Sequence, residues 1–500
     1  MMILIRKYVN QPLWVLTWIV GLAVTSNVAQ AGNNSLLLNG ITVVDTRTGS
    51  LSPDMAVLIE GDRISAIAPV AELAGSDTTQ VINAEGKYLV PGYLDMHAHV
   101  TDLDVAAFNA RLMLSHGITG FRQMSGSEQL LQLRSEGKLV PFPDAPALLV
   151  MPGDVLIGQI AKDPEGAREE VRQQQTAGAD FIKAVDLHPE SYMAALNEAT
   201  RLGLPFVGHL PSTINLFDAT DAGMRAIEHL GPRSTILLGC STDEAVLRQA
   251  IAESPPEGMP MLPDWLAWLL RPVINHIVER TLTNPYIMSD EAEFIQMQRL
   301  VDTYSADKCQ ALAEQLATTQ SWQVPTLIRL RTMEFGDADE YRNDTNLRYM
   351  PEDTRELWQS VSEDFSDDIS TRGKESLKQF FELQKKLVGV FDRAGVKMLA
   401  GSDVGGGWLI PGFSLHQEFD LLAEAGVSPL KVLQMTTLNG AVFLNKETTM
   451  GTVDAGKEAN LVVLDANPLD SVQNLHRIHA VIRNGHYYSQ AELEALKNEH

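Results

Sequence analysis

The sequence predicts an α/β protein: a (β/α)8 TIM-like barrel with a small β-sandwich domain assembled from both chain ends. Three observations predict it. Eight apolar, β-like runs occupy the middle of the chain, most of them separated by helical patterns, which indicates a parallel sheet covered by helices. Short strands with hairpin signals occur at both ends of the chain. Histidines and an aspartate fall at the ends of several central runs, where barrels of this class build their sites. A composition of 45% hydrophobic and 21% charged residues over 500 positions suits a large globular core and excludes disorder.

The first 31 residues stand apart. Arg6 and Lys7 precede an apolar stretch from Leu13 to Val24, and Ala29-Gln30-Ala31 supplies the small residues that a signal peptidase reads. The order predicts a signal peptide cleaved after Ala31 and a periplasmic or secreted protein. An uncleaved anchor is the alternative, for which the apolar stretch is short. No stable membrane insertion is expected after cleavage. The formal net charge of −25 argues against nucleic acid and anionic membrane surfaces as partners. Cys240 and Cys309 lie in no redox or nucleophile motif and are read as bulk residues that could pair.

Residues 32–90 read as the N-terminal part of the composite β domain. Leu36–Leu38, Ile41–Val44, Met55–Ile59 and Ile64–Ile67 are apolar runs broken by the turn signals Asn39-Gly40 and Gly61-Asp62. Residues 446–500 carry the same texture, with Asn460–Leu464, Ala480–Ile482 and the turn signal Asn484-Gly485. Between them, residues 91–445 hold the eight runs: Tyr93–Ala98, Thr119–Arg122, Ala147–Val150, Phe181–Val185, Phe206–His209, Ala226–His229, Gln323–Leu327 and Lys397–Ser402. Helical stretches such as Glu165–Ala177 and Ser191–Leu202 intervene. Two gaps exceed what a βα unit needs, so helical insertions are expected near 232–320 and 330–390. The first includes an apolar stretch, Asp264–Leu282, with Trp265 and Trp268; it reads as core packing or as a hydrophobic lid.

The chemistry-bearing residues sit in and around these runs. His97 and His99, one residue apart in Asp95-Met-His-Ala-His99, can project from one face of a strand toward a metal, or be one buried and one exposed histidine. Lys183 lies in the fourth run, His209 and His229 end the fifth and sixth, and Asp403 follows Gly401-Ser402 at the end of the eighth. Arg122 ends the second run and could bind a substrate carboxylate or carbonyl, or pair with an acid. His416 lies in the first turn of a helix opened by a Ser414-x-x-Gln417 capping box, where it could touch substrate or serve the structure. His116 reads as structural, and His188 follows the fourth run.

Taken in order, these pieces resemble the amidohydrolase superfamily, in particular its imidazolonepropionase-like and prolidase-like branch with two metals. The resemblance rests on Pro91-Gly-x-x-Asp-x-His-x-His99, Gly117-Ile-Thr, Gly178–Lys183, Gly-His209, Glu-His229, Gly-Ser-Asp403 and the closing Gly451-Thr-Val-Asp-Ala-Gly-Lys through Asp465. It implies that His97, His99 and Asp403 hold one divalent metal and that His209 and His229 hold the other. Lys183, carbamylated by CO2, would bridge them, since an unmodified ammonium has no lone pair to offer. Imidazole and carboxylate ligands suit Zn2+, with Mn2+ or Co2+ as alternatives. The implied activity is hydrolysis of a C–N bond, in an amide or dipeptide, by metal-activated hydroxide, with Asp403 as the catalytic proton carrier. A lactonase, carbamate hydrolase or cyclic-imide hydrolase would use the same scaffold, and a non-catalytic binding barrel is the rival of another class. Gln123 departs from the family, which more often has Asp after the arginine. The partner expected is a small-molecule substrate; a homo-oligomer is compatible with the sequence.

Overall fold

The computed structural model describes residues 35–101, 106–139, 144–231, 235–253 and 270–498. The expected signal peptide and the Trp265–Trp268 stretch lie outside the described residues.

The chain opens with β1 (Ser35–Val44), β2 (Leu51–Glu60), β3 (Arg63–Pro69), β4 (Gln80–Asn83) and β5 (Tyr88–Pro91). β1, β2 and β3 form an antiparallel meander, and β1 also pairs in parallel with β4 and β5. Asn39-Gly40, expected as a turn, instead lies within β1. Gly40 takes φ +79° and the register with β2 shifts between Asn39 and Ile41, so the signal marks a bulge rather than a reversal.

Parallel strands follow. β6 (Tyr93–Ala98), β7 (Ile118–Gln123) and β8 (Ala147–Val150) make one sheet. β9 (Leu156–Ile157), β10 (Ile182–Asp186), β11 (Phe206–Gly208), β12 (Met224–Glu228) and β13 (Trp322–Val324) make a second, in that order. β9 is a short strand that the sequence reading did not anticipate. The intervening helices begin where local chemistry directs. Pro164–Thr176 starts on Asp163, whose carboxylate accepts from the amides of Glu165 and Gly166, a cap worth about 1 kcal/mol. Pro189–Leu202 ends on Gly203 at φ +72°.

The eighth run is not a regular strand. The segment 397–404 makes only isolated bridges, at Met398 to Gln323 and at Val404 to Ala98, and joins the two sheets. Leu399 donates to Gln323 of β13 at 2.9 Å, while Met96 of β6 donates to Ala400 at 2.9 Å and Asp403 donates to His97 at 2.8 Å. Among the described residues no ladder links β8 to β9.

Among the described residues, both stretches carry helices. The first includes Thr235–Leu238, Glu244–Glu253, Arg271–Thr283, Glu291–Asp302 and Ala306–Ala317; the second includes Leu327–Glu334, Glu352–Asp368 and the long helix Thr371–Ala394. The long helix packs on Glu291–Asp302 and Ala306–Ala317, so the insertions support each other. Cys240 and Cys309 form a disulfide within the first insertion.

The chain returns through β14 (Leu461–Leu464), β15 (Ile478–Arg483) and β16 (His486–Ser489). β14 pairs antiparallel with β5, so both chain ends build one eight-stranded sheet. β14 is apolar throughout because both faces are buried. Leu461 and Val463 enter the core of that sheet, and Val462 and Leu464 enter the larger α/β core. Asn484-Gly485 is the β15–β16 turn, with φ +50° and +77°, as a two-residue hairpin of this type requires.

Candidate metal centre

Alternation along the parallel strands decides which side chains converge. Phe181, Val207, Ala226, Trp322, Val324 and Leu399 pack into one apolar cluster, while Ile182, Ala184, Phe206 and Ile227 belong to the other face. Lys183, His209 and Glu228 each lie two residues beyond a member of the first set, so they continue the same face toward the strand ends.

Asp403 is the centre. His97 Nε2 lies 3.1 Å and His99 Nε2 3.2 Å from its Oδ1, and His229 Nε2 lies 3.9 Å from its Oδ2. Lys183 Nζ is 3.4 Å from His97 Nε2. The His209 ring is centred 5.2 Å from that of His229. His97, His99 and Asp403 can bring one ligand atom each within 4.8 Å of one another, the only such group of His, Cys, Asp and Glu among the described residues. The structure thus gathers His97, His99, Asp403, Lys183, His209 and His229 in one place.

The Nδ1 atoms of three of these histidines are engaged. His97 Nδ1 lies 2.7 Å from Glu228 Oε2, His99 Nδ1 2.9 Å from Ser125 Oγ, and His229 Nδ1 2.6 Å from Thr326 Oγ1. Thr326 gives its own hydroxyl hydrogen to the Pro325 carbonyl, so it accepts from His229. Donation from Nδ1 would leave each Nε2 free to ligate a cation, the arrangement of metal-binding histidines. The donor set therefore fits a divalent cation.

Burial sets the protonation. It pushes His99 down to about 4 and His209 down to about 3, with the Lys183 charge adding to both, and it drives His229 well below its ordinary value. Burial lowers Lys183 to about 8 against the opposing pull of Asp403 and Glu228. Asp403 resists its own burial, because the surrounding histidines hold its carboxyl well below the usual range.

The backbone is strained at these residues. His229, Asp403 and Thr326 have φ of +56°, +55° and +46°, each costing about 1–3 kcal/mol for a residue other than glycine. Gly401 explains part of the Gly-Ser-Asp403 motif: a Cβ there would lie 2.7 Å from His97 Cβ.

Two expected substrate contacts are not at the open side. Arg122 is fully buried, donating to Glu228 at 2.9 Å and to the Met96 carbonyl at 2.5 Å, so it serves the acid rather than a ligand. His416 packs against Tyr93, the first residue of β6, and donates from Nε2 to the His116 carbonyl at 2.9 Å. It therefore lies about 13 Å of strand from His97. The Ser414 cap is also absent; the helix Phe413–Glu424 starts from Gly412 at φ +82° without a side-chain cap.

Sequence reasoning missed four contributors. Glu228, the residue before His229, accepts from Arg122 and meets His97 Nδ1, and its adjacency to a ligand is its only signal in the sequence. Asp95 accepts from the His97 amide and from Ser402, bracing one ligand strand against the other; its place two residues before His97 was the signal. Gln123, at the departure from the family pattern, accepts from Val100 and donates to Ser125, which meets His99. Arg329, 3.4 Å from Asp403 Oδ2, belongs to no motif.

Residues 384–487, which include Asp403, match the Amidohydrolase family. An adenine deaminase from Rubrobacter xylanophilus is 36% identical over 88 residues, 17% of this chain and 14% of that protein. The chain spans less than a third of the length of the curated relatives it matches. The fold extends further. A bottromycin amidohydrolase aligns with a TM-score of 0.65 at 19% identity, covering 92% of this chain and 88% of that one. A Xaa-Pro dipeptidase with bound methionine in its active site gives 0.58 at 17% identity, covering 91% and 100%. Residues 384–487 thus match the Amidohydrolase family, and the fold of the chain is similar to those of solved structures described as a prolidase, a Xaa-Pro dipeptidase and an amidohydrolase.

Proposed function

We propose that this protein is an exported, binuclear metal-dependent amidohydrolase that cleaves the C–N bond of a small amide or dipeptide with an apolar portion. The observation that carries the reading is the convergence of three Nδ1-tethered histidines on one carboxylate. In this reading His97, His99 and Asp403 would hold one cation, His209 and His229 would hold the second, and Lys183, as a carbamate, would supply oxygen ligands. Zn2+ suits the ligands, with Mn2+ or Co2+ as alternatives. The cations, when bound, supply an activated water near neutral pH and polarise the scissile carbonyl.

The protein's own groups have distinct tasks. Burial brings Lys183 to about 8, so the neutral amine that combines with CO2 is accessible near neutrality. Asp403 divides its oxygens, Oδ1 toward His97 and His99 and Oδ2 toward His229 and Arg329. That geometry supports a role as proton acceptor and later donor to the leaving amine. Glu228, held by Arg122, keeps His97 in the tautomer that ligates.

We read the parallel sheets as a (β/α)8 barrel over 91–445 and the eight-stranded sheet as the small β domain of 32–90 and 446–500. Export is supported by the Arg6 to Ala31 pattern and by the Cys240–Cys309 disulfide, which suits an oxidising compartment. No helix among the described residues is long and apolar enough to cross a membrane. An adenine deaminase, a Xaa-Pro dipeptidase and an amidohydrolase all act, by name, on carbon–nitrogen bonds, which supports that bond type. The methionine bound to the dipeptidase supports an apolar side chain in the substrate.

The test is elemental analysis of the purified protein with a panel of dipeptides and N-acyl amino acids beside lactones, carbamates and cyclic imides. About two metal equivalents and amide cleavage are expected. Activity on lactones alone would replace the bond assignment, and a metal-free protein would favour a binding barrel. Lys183→Ala should lose metal and activity with the fold retained, and acetate or formate should restore part of both. Unchanged metal content in that variant would remove Lys183 from the site.

A further inference from the structure

The helix Leu327–Glu334, which opens the second insertion, links the ligand cluster to the rest of both insertions. Just before its start, Thr326 holds His229, and within its first turn the Ile328 amide donates to the fully buried Glu418 at 2.7 Å. At its end Glu334 accepts from Tyr286 at 3.2 Å and from Gln384 at 2.9 Å, one from each insertion. Arg329 lies in the first turn with its side chain only 8% exposed. Its Nε is 3.4 Å from Asp403 Oδ2, Nη1 donates to the Thr283 carbonyl at 2.9 Å, and Nη2 donates to the Leu282 carbonyl at 2.6 Å. Those carbonyls end the inserted helix Arg271–Thr283, where the last turn has no donors of its own. A guanidinium fork serves the carboxylate and both carbonyls at once; an ammonium, one point charge, does not reproduce that fixed fork. The loop after Asp403 closes on the same group. A Cβ on Gly406 would lie 2.5 Å from Arg329 Nη1, and Gly407 donates to the Thr283 carbonyl at 3.3 Å.

We infer that Arg329 is a positioning residue that ties the end of the first insertion to Asp403 Oδ2, so that the seating of the insertion and the aim of the carboxylate are set together. The role given to Asp403 rests on the metallohydrolase reading; the tether itself does not. One consequence is that changes in the insertion act on kcat as well as on KM.

Hydrogen exchange on the full-length, metal-loaded protein tests the tether. In Arg329→Gln, amides of Glu279–Asn284 and of Val404–Gly407 should exchange faster together, by about tenfold or more, while β14 and β15 keep their protection. Gly406→Ala, which displaces the fork without deleting it, should give the same paired response and serves if Arg329→Gln does not fold. Arg329→Lys should fail to restore Glu279–Asn284. A response confined to one of the two segments, or wild-type exchange in Arg329→Lys, overturns the inference. On a substrate found by the panel, Arg329→Gln should lower kcat by about a hundredfold with metal content unchanged; a change in KM alone would overturn the link to Asp403. Absence of metal from the wild-type protein would sink the metallohydrolase reading and leave the exchange result to judge the tether.

Discussion

Among the described residues, four histidines gather at the strand ends and three near the start of β6, and the two groups behave differently. At the strand ends, His97, His99 and His229 turn their Nε2 atoms on Asp403. Near the start of β6, the rings of His116, His416 and His476 lie side by side, with centroids 5.9 and 4.8 Å apart. There the nitrogens point outward from one another. His116 Nδ1 faces the Leu112 carbonyl, His416 Nε2 the His116 carbonyl, and His476 Nε2 lies beside Asp420. Burial drives both His416 and His229 well below the ordinary histidine range, so desolvation does not separate the clusters. Convergence of Nε2 atoms on a shared carboxylate does.

The largest expected effect breaks the centre of the first cluster. Asp403→Asn keeps the shape but accepts no proton, so kcat should fall by at least about a hundredfold. His416→Asn should leave kcat within about threefold, an effect far below loss of acid–base catalysis. Steady-state kinetics on both variants checks the contrast, and equal losses would erase it.

Next comes the buried support. Glu228→Gln should weaken metal affinity by about tenfold to a hundredfold, because the one amide oxygen that remains must serve both His97 and Arg122 and no longer carries the charge that fixes the His97 tautomer. It should also cost about 3–5 kcal/mol of stability, since Arg122 is left buried without its carboxylate. Metal titration below the melting temperature separates the two effects, and an unchanged affinity would mean that Glu228 serves Arg122 alone.

A smaller effect is pH-dependent. In the metal-free protein, His99 and His209 stay neutral down to about 4 and about 3. The unfolded chain takes up these protons near 6.5. Between those values the unfolded state binds more protons, so the contribution of these two histidines to stability rises with pH from about 4 and levels off above about 6.5. Buried Asp95 and Glu418, raised to about 6 and about 8, contribute in the opposite direction, so the rise is read as the difference between thermal melt series of the wild type and of His99→Asn/His209→Asn. A difference that is flat or falls between about pH 4 and about 6.5 would contradict the buried neutral state.

The sequence exposed most of the first cluster because strand periodicity is short-range. His97 and His99 two apart, and Lys183, His209 and Asp403 near run ends, follow from alternation and the parallel-strand pattern. The β5–β14 pairing was legible as similar texture at both ends. What the pattern could not carry were contacts fixed by close packing between distant segments. Arg122 reads equally as a ligand or an ion-pair partner until Glu228 is seen 2.9 Å away. His416 occupies a helix next to the last ligand segment, yet packs against Tyr93 at the other end of β6. Gln123 acts through Ser125, and Arg329 through carbonyls of an insertion, neither of which leaves a spacing to read. Asn39-Gly40 shows the same limit at the backbone, since bulge and turn both use a glycine at positive φ.

Zinc titration of the metal-stripped protein tests the central claim most directly, comparing the wild type with His97→Asn/His99→Asn and His116→Asn/His416→Asn. The wild type and the second variant should each bind about two equivalents, and the first should bind at least one fewer. Undiminished stoichiometry in His97→Asn/His99→Asn would contradict the assignment of the metal centre to the strand ends.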